Sequence, residues 1–322
     1  MNARTWGFLA LLAMTAVLLG CSSGSSKKAA EDATSSNDVT TSTDTAAQDV
    51  TTHPDGLTTD VTTHPDGLTT DVTADLDAQD QTSMGSDVKI LFLHHSTGGV
   101  IWGGGVEQWF TDYNSNQGTS YQIVEQAFPK DSPYGWNNYP FDYWNIWVNH
   151  AGPVAFTEEP TLEMLTAKQD VIVWKHCFPV SGIDADNGAP DVTSEQKTVE
   201  NYKAQYAGLK TKMREFPATR FVVWTGAALT QASNSEESAT RARTFFQWVK
   251  SEWDEPGDNI FVWDFYELET QGGLYLPDNF AASPDDSHPN DTLAQLAAPL
   301  FAQRVVDVIE GRGDTGKITG EP

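Results

Sequence analysis

The chain is poor in cysteine and in positive charge. Only Cys21 and Cys177 are present among 322 residues, and 19 Lys and Arg stand against 45 Asp and Glu. So few thiols exclude a disulfide framework, and the fold must stand on its apolar core, which a domain of this size can supply. The shortage of Lys and Arg leaves no basic patch, which excludes nucleic acid as a partner. Long apolar runs are missing as well. The one run, Phe8 to Leu19, is shorter than the ~20 residues a membrane-spanning helix needs. Gly103-Gly104-Gly105 has neither a following Lys-Ser/Thr nor the Gly-x-Gly-x-x-Gly spacing, so no nucleotide is implied. No Cys-x-x-Cys and no helical His pair supports a metal site, although His94, His95 and His176 together are imidazoles of the right type.

What is present begins with a targeting segment. Arg4 gives the positive start, Phe8 to Leu19 the apolar stretch, and Leu18-Leu19-Gly20-Cys21 follows. That ending resembles the lipobox of bacterial lipoproteins. The resemblance implies removal of residues 1–20 and lipidation of Cys21, with the mature protein anchored to the bacterial cell envelope. Ser22 after the cysteine is compatible with outer-membrane sorting. Cys177 would then have no partner within the chain. Residues 22–86 read as a disordered tether rich in Ser, Thr, Asp and Ala. Of the net charge of −26, half falls between residues 31 and 87, which hold twelve Asp, one Glu and no Lys or Arg. Asp49 to Thr59 is repeated without change as Asp60 to Thr70. Two copies of so short a unit cannot stack a core, so the repeat is a spacer, and His53 and His64 within it belong to no site. As a flexible coil the tether spans on the order of 45 Å.

The folded part is expected over 87–312, with 313–322 as a flexible tail. Five strand-like runs stand out: Val88–Leu93, Gln122–Ala127, Asp170–Trp174, Arg220–Thr225 and Asn259–Phe265. Glu195–Glu215, Ser235–Trp253 and Asp291–Ile309 carry apolar residues at helical spacing, and Asn290 is placed to cap the last of them. Alternating strands and helices predict an α/β fold, a parallel sheet of about five strands with helices on both faces. Between the second and third strands, residues 128–159 hold many aromatic rings without a clean period. Such a segment is either a lid or binding wall near the strand ends or a set of rings packed over an apolar face.

The first strand ends abruptly in His94-His95-Ser96-Thr97-Gly98-Gly99. Ligands of open parallel sheets bind beyond the carboxyl ends of the strands, so Ser96 is placed as a nucleophile at that rim. A serine needs a base, and the base needs a group that fixes its tautomer. Asp285-Asp286-Ser287-His288 offers both near the other end of the chain. This block resembles the Asp-x-x-His block of the SGNH/GDSL hydrolases, in which the nucleophilic serine follows the first strand of a flavodoxin-like α/β/α sandwich. The resemblance covers the order of elements across residues 87–311. It implies Ser96 as nucleophile, His288 as general base and Asp285 as the group that orients it. The family's Gly-Asp-Ser is replaced by His94-His95-Ser96, although Ser96-Thr97-Gly98 keeps Ser-x-Gly. For the oxyanion hole, Gly135 is the candidate amide. The third block, normally Gly-x-Asn-Asp, reads Trp174-Lys175-His176-Cys177-Phe178-Pro179 without the asparagine, so His176 or Lys175 is the side-chain candidate. An α/β-hydrolase elbow is disfavoured, since Gly-x-Ser-x-Gly is absent.

Carried through, these readings give a surface-anchored serine esterase. It would cleave short acyl esters, acetyl above all, on a carbohydrate or cell-envelope polymer, and no cofactor is implied. Tyr134, Trp136 and His95 are the expected substrate wall. Two other outcomes stay open: a surface lipoprotein that binds glycan or a partner without turnover, and a lipase-like enzyme with a long apolar groove.

Overall fold

The computed structural model describes residues 81–322. The signal segment, Cys21 and nearly all of the tether lie outside the described residues. Five strands form one parallel sheet: β1 (Asp87–His94), β2 (Ser120–Ala127), β3 (Val171–Trp174), β4 (Arg220–Trp224) and β5 (Ile260–Trp263). Their spatial order is β2-β1-β3-β4-β5. That is the flavodoxin-like order, with its reversal point between β1 and β3. The fold is thus the expected three-layer α/β/α sandwich. β3, β4 and β5 are buried along their whole length, as strands covered on both faces must be. β2 lies at the edge and is half exposed, which explains its polar sequence.

On one face lie α1 (Thr97–Gly103), α2 (Val106–Gln117) and α8 (Asp291–Ile309). On the other lie α3 (Pro140–Trp144), α5 (Val199–Met213) and α6 (Glu236–Trp248). The sheet's rings divide accordingly. Trp224 and Trp263 pack on Phe301 of α8, with centroids 4.9 Å and 5.2 Å away. Trp174 faces Tyr206 of α5 and Trp147. Asn290 caps α8, its side chain accepting from the Thr292 and Leu293 amides. The short α4 (Leu162–Thr166) and α7 (Phe265–Thr270) complete the helices, and a two-stranded antiparallel hairpin, β6 (Ala281–Ser283) and β7 (Asp286–Pro289), precedes α8.

The aromatic segment 128–159 resolves mainly toward packing. Tyr139, Tyr143, Trp144 and Trp147 are buried, at the N-cap of α3, on α3 and on the π-helical turn Asn145–Asn149 that follows it. The expected boundaries are corrected at both ends. Before Asp87, the Met84 amide donates to the Ile309 carbonyl, and the Arg220 guanidinium binds the Thr82 carbonyl. After residue 312, the Asp264 amide donates to the Ile318 carbonyl at 2.8 Å and the Trp263 indole to the Thr319 carbonyl at 2.9 Å. Residues 313–322 are therefore not a loose tail, because they close over the carboxyl end of β5.

Candidate active site

Ser96 stands between the end of β1 and the first turn of α1. Its φ of 33° lies in the left-handed region that glycine favours, a conformation that costs on the order of 1–3 kcal/mol and is typically retained at functional sites. Gly98 makes the tight turn possible: a Cβ there would come within 2.5 Å of the His94 Cβ.

His288 reaches Ser96 from β7. The Ser96 Oγ–H donates to His288 Nε2 at 2.5 Å, and His288 Nδ1–H donates to Asp286 Oδ1 at 2.5 Å. The His288 backbone amide donates to the same carboxylate at 3.0 Å. Partial burial pushes the Asp286 carboxyl up, but its hydrogen bonds from the His288 amide and ring outweigh that and leave it below the ordinary range. The edge of the Phe178 ring packs against His288, centroids 5.1 Å apart. Serine, imidazole and carboxylate are in hydrogen-bonded series, and the acid is Asp286. This corrects the expectation for Asp285, which is exposed in the turn between β6 and β7. Side chains alternate along a strand, so Asp286 and His288 share one face of β7. Ser287 points the other way, accepting the Thr230 amide at 3.0 Å.

The remaining histidines stand apart from one another. His94 is buried, stacked near Phe92, and its Nε2 lies 2.8 Å from Glu125. Burial, aided by the Lys175 charge, lowers His94 to about 3, while burial raises Glu125. The contact is accordingly a neutral imidazole N–H donated to a carboxylate. His95 Nε2 binds the Pro129 carbonyl, and the ring meets Trp136 edge-on at 5.1 Å. His95 therefore pins the aromatic segment beside Ser96. His176 is fully buried among Tyr143, Trp174 and Tyr206, and neither ring nitrogen has a partner among the described residues. It cannot point at an oxyanion from there, which corrects that assignment. No group of three or more metal-ligating side chains forms among the described residues.

Gly135 has a φ of 106° and lines a cleft of about 240 Å³ with Tyr134, Asn137, Phe141, Asp142, Asn145, Phe156, Thr157 and Glu195. Ser96 and His288 do not line that cleft. Tyr134 is thus a wall of it, whereas Trp136 touches His95 instead.

Three neighbours take places that sequence reasoning did not give them. Cys177 places its Sγ 3.3 Å from Ser96 Oγ. Asn138, at φ 52°, accepts the Cys177 amide on its Oδ1 at 2.5 Å and donates from Nδ2 to the Phe128 carbonyl at 2.8 Å. Lys175, a side-chain candidate for the oxyanion hole, is fully buried with its Nζ over the Trp224 ring at 5.8 Å and without a hydrogen-bond partner among the described residues. Only the position of Cys177 just past the third strand was a signal that could have found one of them.

No protein-family model matches the chain, and no curated protein matches it. Among solved structures it is similar to an acetyl xylan esterase, at 14% identity over 66% of this chain and 96% of that one, with a TM-score of 0.41. It is also similar to a gut microbial diltiazem-metabolizing enzyme, at 14% identity over 74% of this chain and 50% of that one, TM-score 0.42. A third is a psychrotrophic esterase from Pseudoalteromonas sp., at 13% identity over 70% and 97%, TM-score 0.39. The chemistry of this chain rests on its own side chains.

Proposed function

We propose that the protein is a serine ester hydrolase acting through Ser96, His288 and Asp286. The observation that carries this reading is the unbroken series from Ser96 Oγ to His288 Nε2 and from His288 Nδ1 to Asp286. Ser96 Oγ attacks the ester carbonyl while His288 Nε2 takes its proton. The Asp286 carboxylate stabilises the imidazolium that forms. Collapse of the adduct breaks the bond to the alcohol, which leaves with the proton from His288. Water, deprotonated by the same imidazole, then attacks the acyl-serine and releases the acid.

A short acyl group on a carbohydrate or cell-envelope polymer is the proposed substrate. Support comes from the rings beside the triad, Phe178 against His288 and Trp136 against His95, each pair with centroids 5.1 Å apart. Rings offer apolar faces to sugar C–H groups. The anchor is part of the same proposal: Cys21 carries lipid, and the tether holds the domain off the outer membrane.

The test is labelling of the full chain with a fluorophosphonate, mapped by mass spectrometry. A tag on Ser96 that is lost in His288→Ala is expected. A folded protein with no tag on Ser96 would overturn the hydrolase in favour of a non-catalytic glycan- or partner-binding protein. Acetate release from an acetylated polysaccharide is compared with hydrolysis of p-nitrophenyl acetate. Trp136→Ala should raise KM severalfold for the polymer alone, and an equal or absent effect on both substrates sinks the polymer reading.

A further inference from the structure

Cys177 is a buried thiol that the proton relay does not use, yet it touches the reacting oxygen. Its Sγ is 3.3 Å from Ser96 Oγ and 3.7 Å from Thr97 Oγ1. Ser96 has a single hydroxyl proton, and that proton is directed to His288 Nε2. The serine oxygen is therefore the acceptor of the second contact, and the Cys177 S–H is its donor. The thiol is held in place from the backbone: its amide is clamped by the Asn138 side chain at 2.5 Å and lies 3.4 Å from the Asn138 carbonyl.

A second observation concerns a buried lysine. Lys175, two residues earlier, is fully buried with an ammonium that has no hydrogen-bond partner among the described residues. Burial lowers it from the usual lysine range, and Cys177 opposes that effect ahead of Glu269. The Trp224 ring, 5.8 Å from Nζ, and Glu269 are the groups that face this amine, and negative charge arriving nearby would favour its charged form. In an acyl-transfer site negative charge arrives on the carbonyl oxygen of the adduct. No other side-chain donor stands against Ser96 Oγ among the described residues, and the Ser96 amide itself has no acceptor among them.

Resting on the hydrolase reading, we propose that Cys177 is a further residue of this site, its S–H aiming the Ser96 oxygen in the resting protein and donating to the carbonyl oxygen as that oxygen becomes charged. Once Oγ has bonded to the carbonyl carbon, the charged oxygen sits on that same carbon, within reach of the thiol. No bond to sulfur forms, and the thiol keeps its proton.

The test uses p-nitrophenyl acetate and the fluorophosphonate on the full chain. Cys177→Ala and Cys177→Val both remove the donor, and Val also keeps most of the volume. Losing an oxyanion donor costs ~10²–10³ in kcat, and a thiol is a weaker donor, so a fall of roughly 10- to 100-fold is expected, with KM within about twofold. The rate of Ser96 labelling should fall in parallel. Cys177→Ser restores a donor and should recover the rate to within a few-fold of the parent. The inference is overturned if Ala or Val leaves kcat and labelling unchanged, or if Ser is as slow as Val at an unchanged melting temperature. If Ala and Val do not fold, a folded Ser variant slowed by 10-fold or more overturns it and one near the parent rate supports it. A parent protein that neither turns over ester nor labels would instead overturn the hydrolase reading on which this rests.

Discussion

Asp285 and Asp286 have the same chemistry and adjacent positions, and the hairpin gives them different surroundings. Pro284 and Asp285 make the turn between Ser283 and Asp286, which pair across it. Two residues on, His288 returns to the face Asp286 occupies. The sequence shows the aspartate pair and the histidine, but choosing between the acids needs the strand, and a four-residue strand has too little pattern to be read. We predict that Asp286→Asn lowers kcat for p-nitrophenyl acetate by ~10⁴ at neutral pH, through loss of the correct tautomer. Asp285→Asn should stay within twofold. The reverse ranking would return the role to Asp285. His176 was beyond sequence reasoning for a related reason. Next to Lys175 and Cys177 it looks like a rim residue, but its face of the chain turns toward Tyr143 and Tyr206.

Among the elements, those with one clear period were legible. All five strands of the sheet were legible to within a few residues, and α8 from Asp291 to Ile309, because apolar runs and caps declare themselves locally. The segment 128–159 was not, since α3 runs into a π-helical turn and the extra residue in that turn breaks the 3.6-residue period. Asp142 of α3 accepts the Tyr139 amide and the Tyr134 hydroxyl, both at 3.2 Å, and is 2% exposed. Burial, only partly offset by these hydrogen bonds, raises it to about 6. The folded state therefore holds this proton more tightly than the unfolded chain does. Stability from it is full below the ordinary Asp range, declines as pH rises toward about 6, and is flat above. Asp142→Asn should remove that part of the pH dependence, on the order of 2 kcal/mol between pH 4 and 7. Urea midpoints for parent and variant at the two pH values measure it, and parallel pH profiles would count against the assignment.

For the whole molecule, composition placed the start of the folded part near residue 87 and its end near 312, but the hydrogen-bonded ends lie beyond both. Gln81 to Met84 read as tether, and their role appears only once α8 and Arg220 are beside them. The proposed anchor has a direct check: Cys21→Ser should move the protein from the membrane fraction to the soluble fraction, and continued detergent-dependent extraction would remove the lipid from the account. The two ends of the domain are not equivalent. Thr82 and Met84 dock where the strands begin, against Arg220 and the last turn of α8, whereas Ser96 lies where β1 finishes, eight residues or roughly 25 Å along. Ile318 and Thr319 lie where β5 finishes. A leash on the amino end would therefore pull from the pole opposite the proposed catalytic mouth at Ser96, so that a grafted layer of the protein would present its serines outward. A handle on Pro322 would sit on the same pole as the mouth and crowd it.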